Sequence, residues 1–100
     1  MSDAIILEPA LSPARRAELG VDGWPLWKDA VGRRTLTQEA SEKSYFLAGE
    51  AVLTLEGHAP VNVRRGDLVV IPAGACLWEV RVEVRRHYRS DALSPACCII

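Results

Sequence analysis

From about residue 33 onward, apolar and polar residues alternate in short runs that turn residues separate. This period of two is typical of half-buried β-strands, and it predicts strands near 33–38, 42–48, 50–56, 60–65, 67–72, 76–81 and 83–89. Gly57 lies between the third and fourth of these strands, where a positive φ is inexpensive for glycine, so that pair is predicted to form a hairpin. Many short strands with little helix indicate an all-β fold that is closed or sandwiched.

The first third of the chain has a different pattern. Residues 1–10 are predicted to form an extended arm. Ser12 and Pro13 suit the N-cap and the first position of a helix, and Gly20 suits its end, which predicts a short helix. The apolar segment 23–27, with two tryptophans, is predicted to cover one end of the domain. We therefore divide the chain into an arm with a helix (1–23), a barrel (24–90) and a C-terminal tail (91–100).

Size and composition restrict the class of protein. The chain has 100 residues, enough for one domain, and a formal net charge of −1, which gives no basic surface for nucleic acid. No apolar run reaches the roughly 20 residues of a membrane-spanning helix, and the N-terminus lacks the pattern of a secretory signal. We expect a cytoplasmic protein with reduced cysteines. The last four residues, which begin at Cys97, fit the spacing of a prenylation signal, but no polybasic segment precedes them, which favours a plain apolar tail.

Two glycine-containing motifs carry the strongest signal, Glu-x6-Gly over residues 42–49 and Gly-x5-Pro-x-Gly over residues 66–74. Together with the segments 24–27, 78–80 and 84–88, they resemble the small cupins of the ureidoglycine-aminohydrolase-like group over roughly residues 20–89. The resemblance implies a single jelly-roll β-barrel that is often paired as a homodimer. The apolar arm residues 5–7 also favour a homodimer, because little sequence surrounds them that could bury them.

The same resemblance implies a metal site made of two histidines and a glutamate from the first motif and one histidine from the second. In this sequence the first-motif histidine positions hold Leu36 and Gln38, or Thr35 and Thr37 if the spacer is one residue longer. The second-motif position holds Leu77. Leucine has no ligand atom and threonine is a poor ligand for transition metals, so we expect no metal and no other cofactor.

Glu42 is the leading candidate for chemistry. The resemblance implies that it points into the barrel, where a carboxylate can act as a general base or anchor a polar ligand. The alternative is a structural carboxylate that pairs with Arg34 or Arg86. Ser44 shares the face of Glu42 by strand alternation and is a candidate ligand contact, although it can equally be a small filler of the barrel.

Four further residues are candidate ligand contacts: Arg34, Trp78, His87 and Tyr88. Trp78 can stack on a planar or sugar-like ligand, and core packing is its alternative role. His87 is placed to reach the barrel mouth, yet alternation sets it on the side opposite Tyr88, which favours a solvated or hydrogen-bonded surface histidine. Cys76 has no neighbouring base and is expected to be a small buried side chain.

These observations predict a small-molecule-binding cupin without a metal, whose ligand is a ureido, amino or sugar-like metabolite. One alternative is a metal-dependent hydrolase or isomerase whose ion is held by Glu42, Gln38 and His87. The other is a non-catalytic dimeric accessory module whose pocket is filled by side chains. No nucleic-acid or membrane partner is expected.

Overall fold

The computed structural model describes residues 4–90. The helical segments are α1 (Pro13–Leu19) and a 3₁₀ turn (Val21–Gly23); the strands are β1 (Ile6–Glu8), β2 (Leu26–Asp29), β3 (Gly32–Gln38), β4 (Glu42–Leu55), β5 (Val61–Arg64), β6 (Leu68–Ile71) and β7 (Gly74–Ser90). All pairs are antiparallel, in the order β1-β6-β4-β7-β2, while β3 also pairs with β7 and β5 with β4. The predicted all-β jelly roll with one short helix is confirmed.

Four predicted strands are in fact two long ones. The runs 42–48 and 50–56 are both parts of β4, and the runs 76–81 and 83–89 are both parts of β7. Register shifts between Phe46 and Ala51 bend β4 without ending it, as β-bulges do. Gly49 lies in this bend with φ +97°, and a Cβ there would lie 2.2 Å from the carbonyl oxygen of Glu83. The absent side chain therefore lets the two long strands cross closely.

The predicted hairpin and helix are both present. Strand β5 pairs with the second half of β4. Helix α1 begins at the predicted cap, where Ser12 Oγ accepts from the backbone N–H of Arg15 at 3.1 Å, and it ends at Gly20 with φ +68°. The capping chemistry of a short helix can thus be read directly from its sequence.

The N-terminal arm is part of the sheet. Strand β1 pairs with β6, and Ile5 and Leu7 pack against the main core. The expectation that residues 5–7 cannot be buried within their own domain is therefore wrong for Ile5 and Leu7. Ile6 is 62% exposed. Strand β2 was not predicted, because three of its four residues are exposed and give no alternating pattern.

Two apolar clusters lie on opposite faces of β4. The inner cluster fills the barrel around Phe46, Leu53 and Trp78. The outer cluster joins Tyr45 and Leu68 to the helical segments. Tyr45 thus packs beneath the N-terminal segment, while Glu42, Ser44 and Phe46 share the inner face.

The tail 91–100, with its two adjacent cysteines, lies outside the described residues. Within residues 4–90, no helix is long and apolar enough to cross a membrane.

Candidate functional site

An open cavity of about 330 Å³ lies between β2, β3 and the ends of β4 and β7 that carry the motif glutamate and the last tyrosine. Its lining residues are Trp27, Asp29, Arg34, Leu36, Thr37, Gln38, Glu42, Arg86 and Tyr88. The volume is at the lower end of the range for ligand pockets, about 300 to 1,000 Å³. A ligand that enters it must be small.

Arg86 is the centre of the cavity floor. Its Nε donates to Asp29 Oδ2 at 2.7 Å, and its Nη1 donates to Glu42 Oε2 and to Ser44 Oγ, also at 2.7 Å each. Arg86 is 5% exposed, Asp29 2% and Glu42 8%. Charge-assisted hydrogen bonds of this length are strong, and removing one member of such a buried network leaves the other charges without a partner.

Aromatic rings hold the guanidinium from the sides. Its Cζ lies 4.6 Å from the ring centroid of Trp78 and 5.7 Å from that of Tyr88. Trp78 is 1% exposed and also stacks on Phe46, with 6.3 Å between ring centroids. Trp78 therefore supports Arg86 from within the core and does not line the cavity.

Gln38 extends the network toward the cavity. Its Nε2 donates to Glu42 Oε1 at 2.8 Å, while Ser44 Oγ donates to Glu42 Oε2 at 3.2 Å. Gln38 Oε1 is buried and has no hydrogen-bond partner within the part of the chain that the structure describes. Buried acceptors are usually paired, so this oxygen is an unsatisfied hydrogen-bond acceptor in the wall of the cavity.

The mouth of the cavity is less tightly bonded. Arg34 is 37% exposed at its side chain; its Nη2 donates to the carbonyl oxygen of Ala30 at 2.8 Å, and its Nη1 lies 3.6 Å from Asp29 Oδ1. Trp27, which is 53% exposed, meets Tyr88 edge to face with 6.3 Å between ring centroids. One half-exposed cation and an aromatic wall thus surround the entrance.

The structure brings most of the predicted site residues together. Glu42, Arg34 and Tyr88 line the cavity, Ser44 lies directly behind Glu42, and Trp78 lies beneath the guanidinium. Of the two arginines considered as partners of Glu42, it is Arg86 that pairs with it at 2.7 Å.

Neither Ser44 nor Trp78, both predicted ligand contacts, lines the cavity, and His87 lies outside the site altogether. It is buried on the opposite face of β7, where Nδ1 donates to the carbonyl oxygen of Trp24 at 2.8 Å. Alternation along the strand explains this, because Arg86 and Tyr88 point to the cavity side. His87 therefore does not contact a ligand in this cavity, and the alternative metal set of Glu42, Gln38 and His87 cannot surround one ion.

The residues present do not fit a cupin metal centre. Leu36 and Gln38 occupy first-motif histidine positions, and the remaining carboxylate, Glu42, has Oε2 bonded to Arg86. Within residues 4–90, no three or more His, Cys, Asp or Glu side chains are grouped so that they could hold a metal ion. In this site a guanidinium, not a metal ion, is the cation that the motif glutamate contacts.

Cys76 belongs to the inner core. It is 2% exposed, and burial raises the pKa of its thiol from 9.0 to about 11. The predicted role as a small buried side chain agrees with this environment, since a protonated thiol is a poor nucleophile.

Sequence reasoning missed Asp29, Trp27 and the central position of Arg86. The sequence indicated Arg86 only as one of two possible partners of Glu42, whereas the structure buries it between two carboxylates. Strand alternation carried a usable signal, since Arg86 shares the side of Val84 and Tyr88. Asp29 had no such signal, because β2 lacks an alternating pattern.

Comparison with known proteins agrees with this fold. The EutQ-like cupin domain model matches residues 16–88. A crystal structure of a DUF861 family protein from Thermotoga maritima is 32% identical, with a TM-score of 0.82 over 87% of this chain and 99% of that one. A DUF1255 protein of unknown function from Acidithiobacillus ferrooxidans is 29% identical, with a TM-score of 0.61 over 63% of this chain and 61% of that one.

A third structure, of a putative ethanolamine utilization protein Q from Salmonella typhimurium, is 23% identical, with a TM-score of 0.58 over 65% of this chain and 53% of that one. At that identity it supports the fold alone. None of the curated proteins matches the chain. The match to the domain model spans most of the sequence and includes every residue of the cavity, so the chain belongs to the EutQ-like cupin family.

Proposed function

We propose that this cupin binds a small polar metabolite in the cavity above Arg86. The observation that carries the proposal is the buried Asp29–Arg86–Glu42 network at the floor of an open cavity of about 330 Å³. Such a network contributes little to stability compared with apolar packing, but it holds donors and acceptors at fixed positions. Fixed polar groups in a mostly apolar concavity are typical of small-molecule sites.

We place Glu42 in this site as an anchoring acceptor and not as a general base. Its two oxygens already accept from Gln38, Ser44 and Arg86. A base must accept a further proton from the substrate, and these three donors already occupy the carboxylate oxygens that would receive it. Binding is therefore favoured over catalysis as the primary activity.

The resemblance to the ureidoglycine-aminohydrolase-like cupins supports a choice of test compounds: ureido compounds, small amino compounds and sugars. All of these carry several hydrogen-bond donors and acceptors. The shared fold does not define the ligand. The choice of test compounds therefore rests on analogy, and measured binding in the cavity selects among them.

The test is ligand-induced thermal stabilisation in a matched pair of variants. Leu36 lines the cavity, whereas Thr35 is exposed on the other face of β3. A ligand at about 100 times its Kd stabilises the fold by about 2.7 kcal/mol, which in a domain of this size raises Tm by roughly 10 °C or more. We expect Leu36→Trp to abolish the shift by filling the cavity and Thr35→Trp to preserve it.

Two results contradict the proposal. A ligand shift that survives in Leu36→Trp would place the binding site elsewhere. The absence of any shift across the compounds would favour the non-catalytic accessory module.

We also infer that the chain forms a homodimer. Within residues 4–90, strand β2 has a neighbour on one side only, and it exposes Leu26 by 58% and Trp27 by 53%, which is a large apolar surface for an edge strand. Light scattering at micromolar concentration should give twice the monomer mass of 11.0 kDa. A mass equal to that of one chain would contradict the inference.

A further inference from the structure

The cavity is electrically polarised from floor to mouth. At the floor, the two carboxylates Asp29 and Glu42 share the single guanidinium of Arg86. At neutral pH the floor therefore carries one negative charge that Arg86 does not balance. Arg34 supplies the compensating positive charge, but from the mouth and with a long 3.6 Å contact to Asp29.

The floor also has an acceptor without a donor. Gln38 Oε1 is buried and unpaired within residues 4–90, while the amide nitrogen of the same side chain is bonded to Glu42. The reversed amide orientation would set an oxygen against the Glu42 carboxylate, so the orientation is fixed by this contact. A ligand group that satisfies Gln38 Oε1 must therefore donate an N–H or O–H.

Arg34 has unused hydrogen-bond donors at the mouth of the cavity. A guanidinium has five N–H groups, and the hydrogen bond to Ala30 uses one of them. Its planar fork matches a carboxylate, and its side chain is 37% exposed on the cavity side of β3. An anionic group is thus favoured at the entrance and disfavoured at the negatively charged floor.

We propose that the ligand is a small zwitterion, an amino acid whose ammonium group points inward to Gln38 Oε1 and whose carboxylate points outward to Arg34. This inference rests on the proposed binding function and defines its ligand class. An ammonium group at the floor compensates the unbalanced negative charge and supplies the missing donor. A ligand with no net charge also leaves unchanged the summed charge of the site, to which four side chains contribute: Asp29, Glu42, Arg34 and Arg86.

The test uses isothermal titration calorimetry with matched probes. The ω-amino acids glycine, β-alanine, 4-aminobutyrate and 5-aminopentanoate vary the separation of the two charges. Butyrate and butylamine retain one charge each. Because a charge-assisted hydrogen bond contributes about 1.5 to 3 kcal/mol, we expect one of the amino acids to bind at least tenfold more tightly than the monofunctional compounds.

Two pairs of variants assign each end of the ligand. Arg34→Gln should weaken binding of the best amino acid at least tenfold without weakening that of butylamine, because loss of this cation favours an ammonium group. Arg33→Gln, at an exposed position that pairs with Glu79 at 3.4 Å, should change neither affinity. Gln38→Leu should weaken binding of the amino acid and leave binding of butyrate unchanged. Thr35→Val, on the exposed face of β3, should change the affinity for neither compound.

Each contrary result has a distinct meaning. If butyrate or butylamine binds as tightly as every amino acid, or if Arg33→Gln weakens binding as much as Arg34→Gln, the zwitterion assignment is wrong. If neutral ureas or sugars bind in a manner that Leu36→Trp abolishes while no amino acid binds, the cavity function stands and the assignment fails. If nothing binds, both fail.

Discussion

Replacing Arg86 by methionine is the sharpest perturbation that the structure offers. Methionine keeps an unbranched stem of similar length in contact with Trp78 but removes the guanidinium. The substitution deletes three hydrogen bonds of 2.7 Å and leaves Asp29 and Glu42 buried without their shared cation.

The expected loss can be estimated from the chemistry of these contacts. Removing one member of a buried ion pair costs about 3 to 5 kcal/mol, because the remaining charge keeps its desolvation penalty. Here two carboxylates are affected, although Arg34 at 3.6 Å partly compensates Asp29. We therefore expect the free energy of unfolding to fall by about 4 kcal/mol, a large share of the roughly 5 to 15 kcal/mol of a typical domain.

Urea unfolding followed by tryptophan fluorescence measures this loss. The control is Arg85→Met on the neighbouring, exposed residue, for which we expect a change within about 0.5 kcal/mol. If Arg86→Met lowers the free energy of unfolding by less than about 1 kcal/mol, or no more than Arg85→Met does, the buried network is not the organising feature described above.

A double-mutant cycle adds an independent check. Combining Arg86→Met with Glu42→Gln should give a loss smaller than the sum of the two single losses, since the same contact is removed twice. Two losses that add fully would contradict the charge argument.

Three further outcomes are expected elsewhere in the fold. Gly49→Ala should lower the free energy of unfolding by more than about 2 kcal/mol in urea titrations, because the added Cβ would lie 2.2 Å from the Glu83 carbonyl oxygen at φ +97°. Gly57→Ala, where the added Cβ meets open space at φ +83°, should lower the free energy of unfolding clearly less. Because burial raises the pKa of the Cys76 thiol to about 11, the folded state should lose stability as pH rises from 9 to 11, and Cys76→Ala should flatten that slope in denaturant titrations. Ser12→Ala should cost about 1 kcal/mol of α1 stability, seen as faster amide exchange in that helix and nowhere else.

The fold could be predicted because its signals are local. Glycine and proline at fixed spacing specify turns, and alternation specifies which side of β4 carries Glu42 and Ser44. The merging of four predicted strands into β4 and β7 was missed, since a bulge that continues a strand and a turn that ends it both place glycine or polar residues at the same point. Gly49 therefore resembles a strand boundary in the sequence.

The site could be predicted only in part, because its main contact joins residues that are distant in sequence. Arg86 and Asp29 are separated by 57 residues, and no period or motif links them. Asp29 lies on an edge strand with exposed residues on both faces, so its burial leaves no pattern. Glu42 was identified through a motif, and its partner could be narrowed to two arginines but not to Arg86 alone.

The pairing of β1 with β6 has a consequence for handling this protein. Strand β6 is the apolar run Leu68–Ile71, and with β1 removed its outer edge would present unpaired backbone groups beside valine and isoleucine. Such an edge is a template for intermolecular strand addition and aggregation. The three residues of β1 cover it, and the proline that follows them has no N–H with which to extend the ladder. A shortened chain that starts after this proline should therefore aggregate even if its cavity is intact.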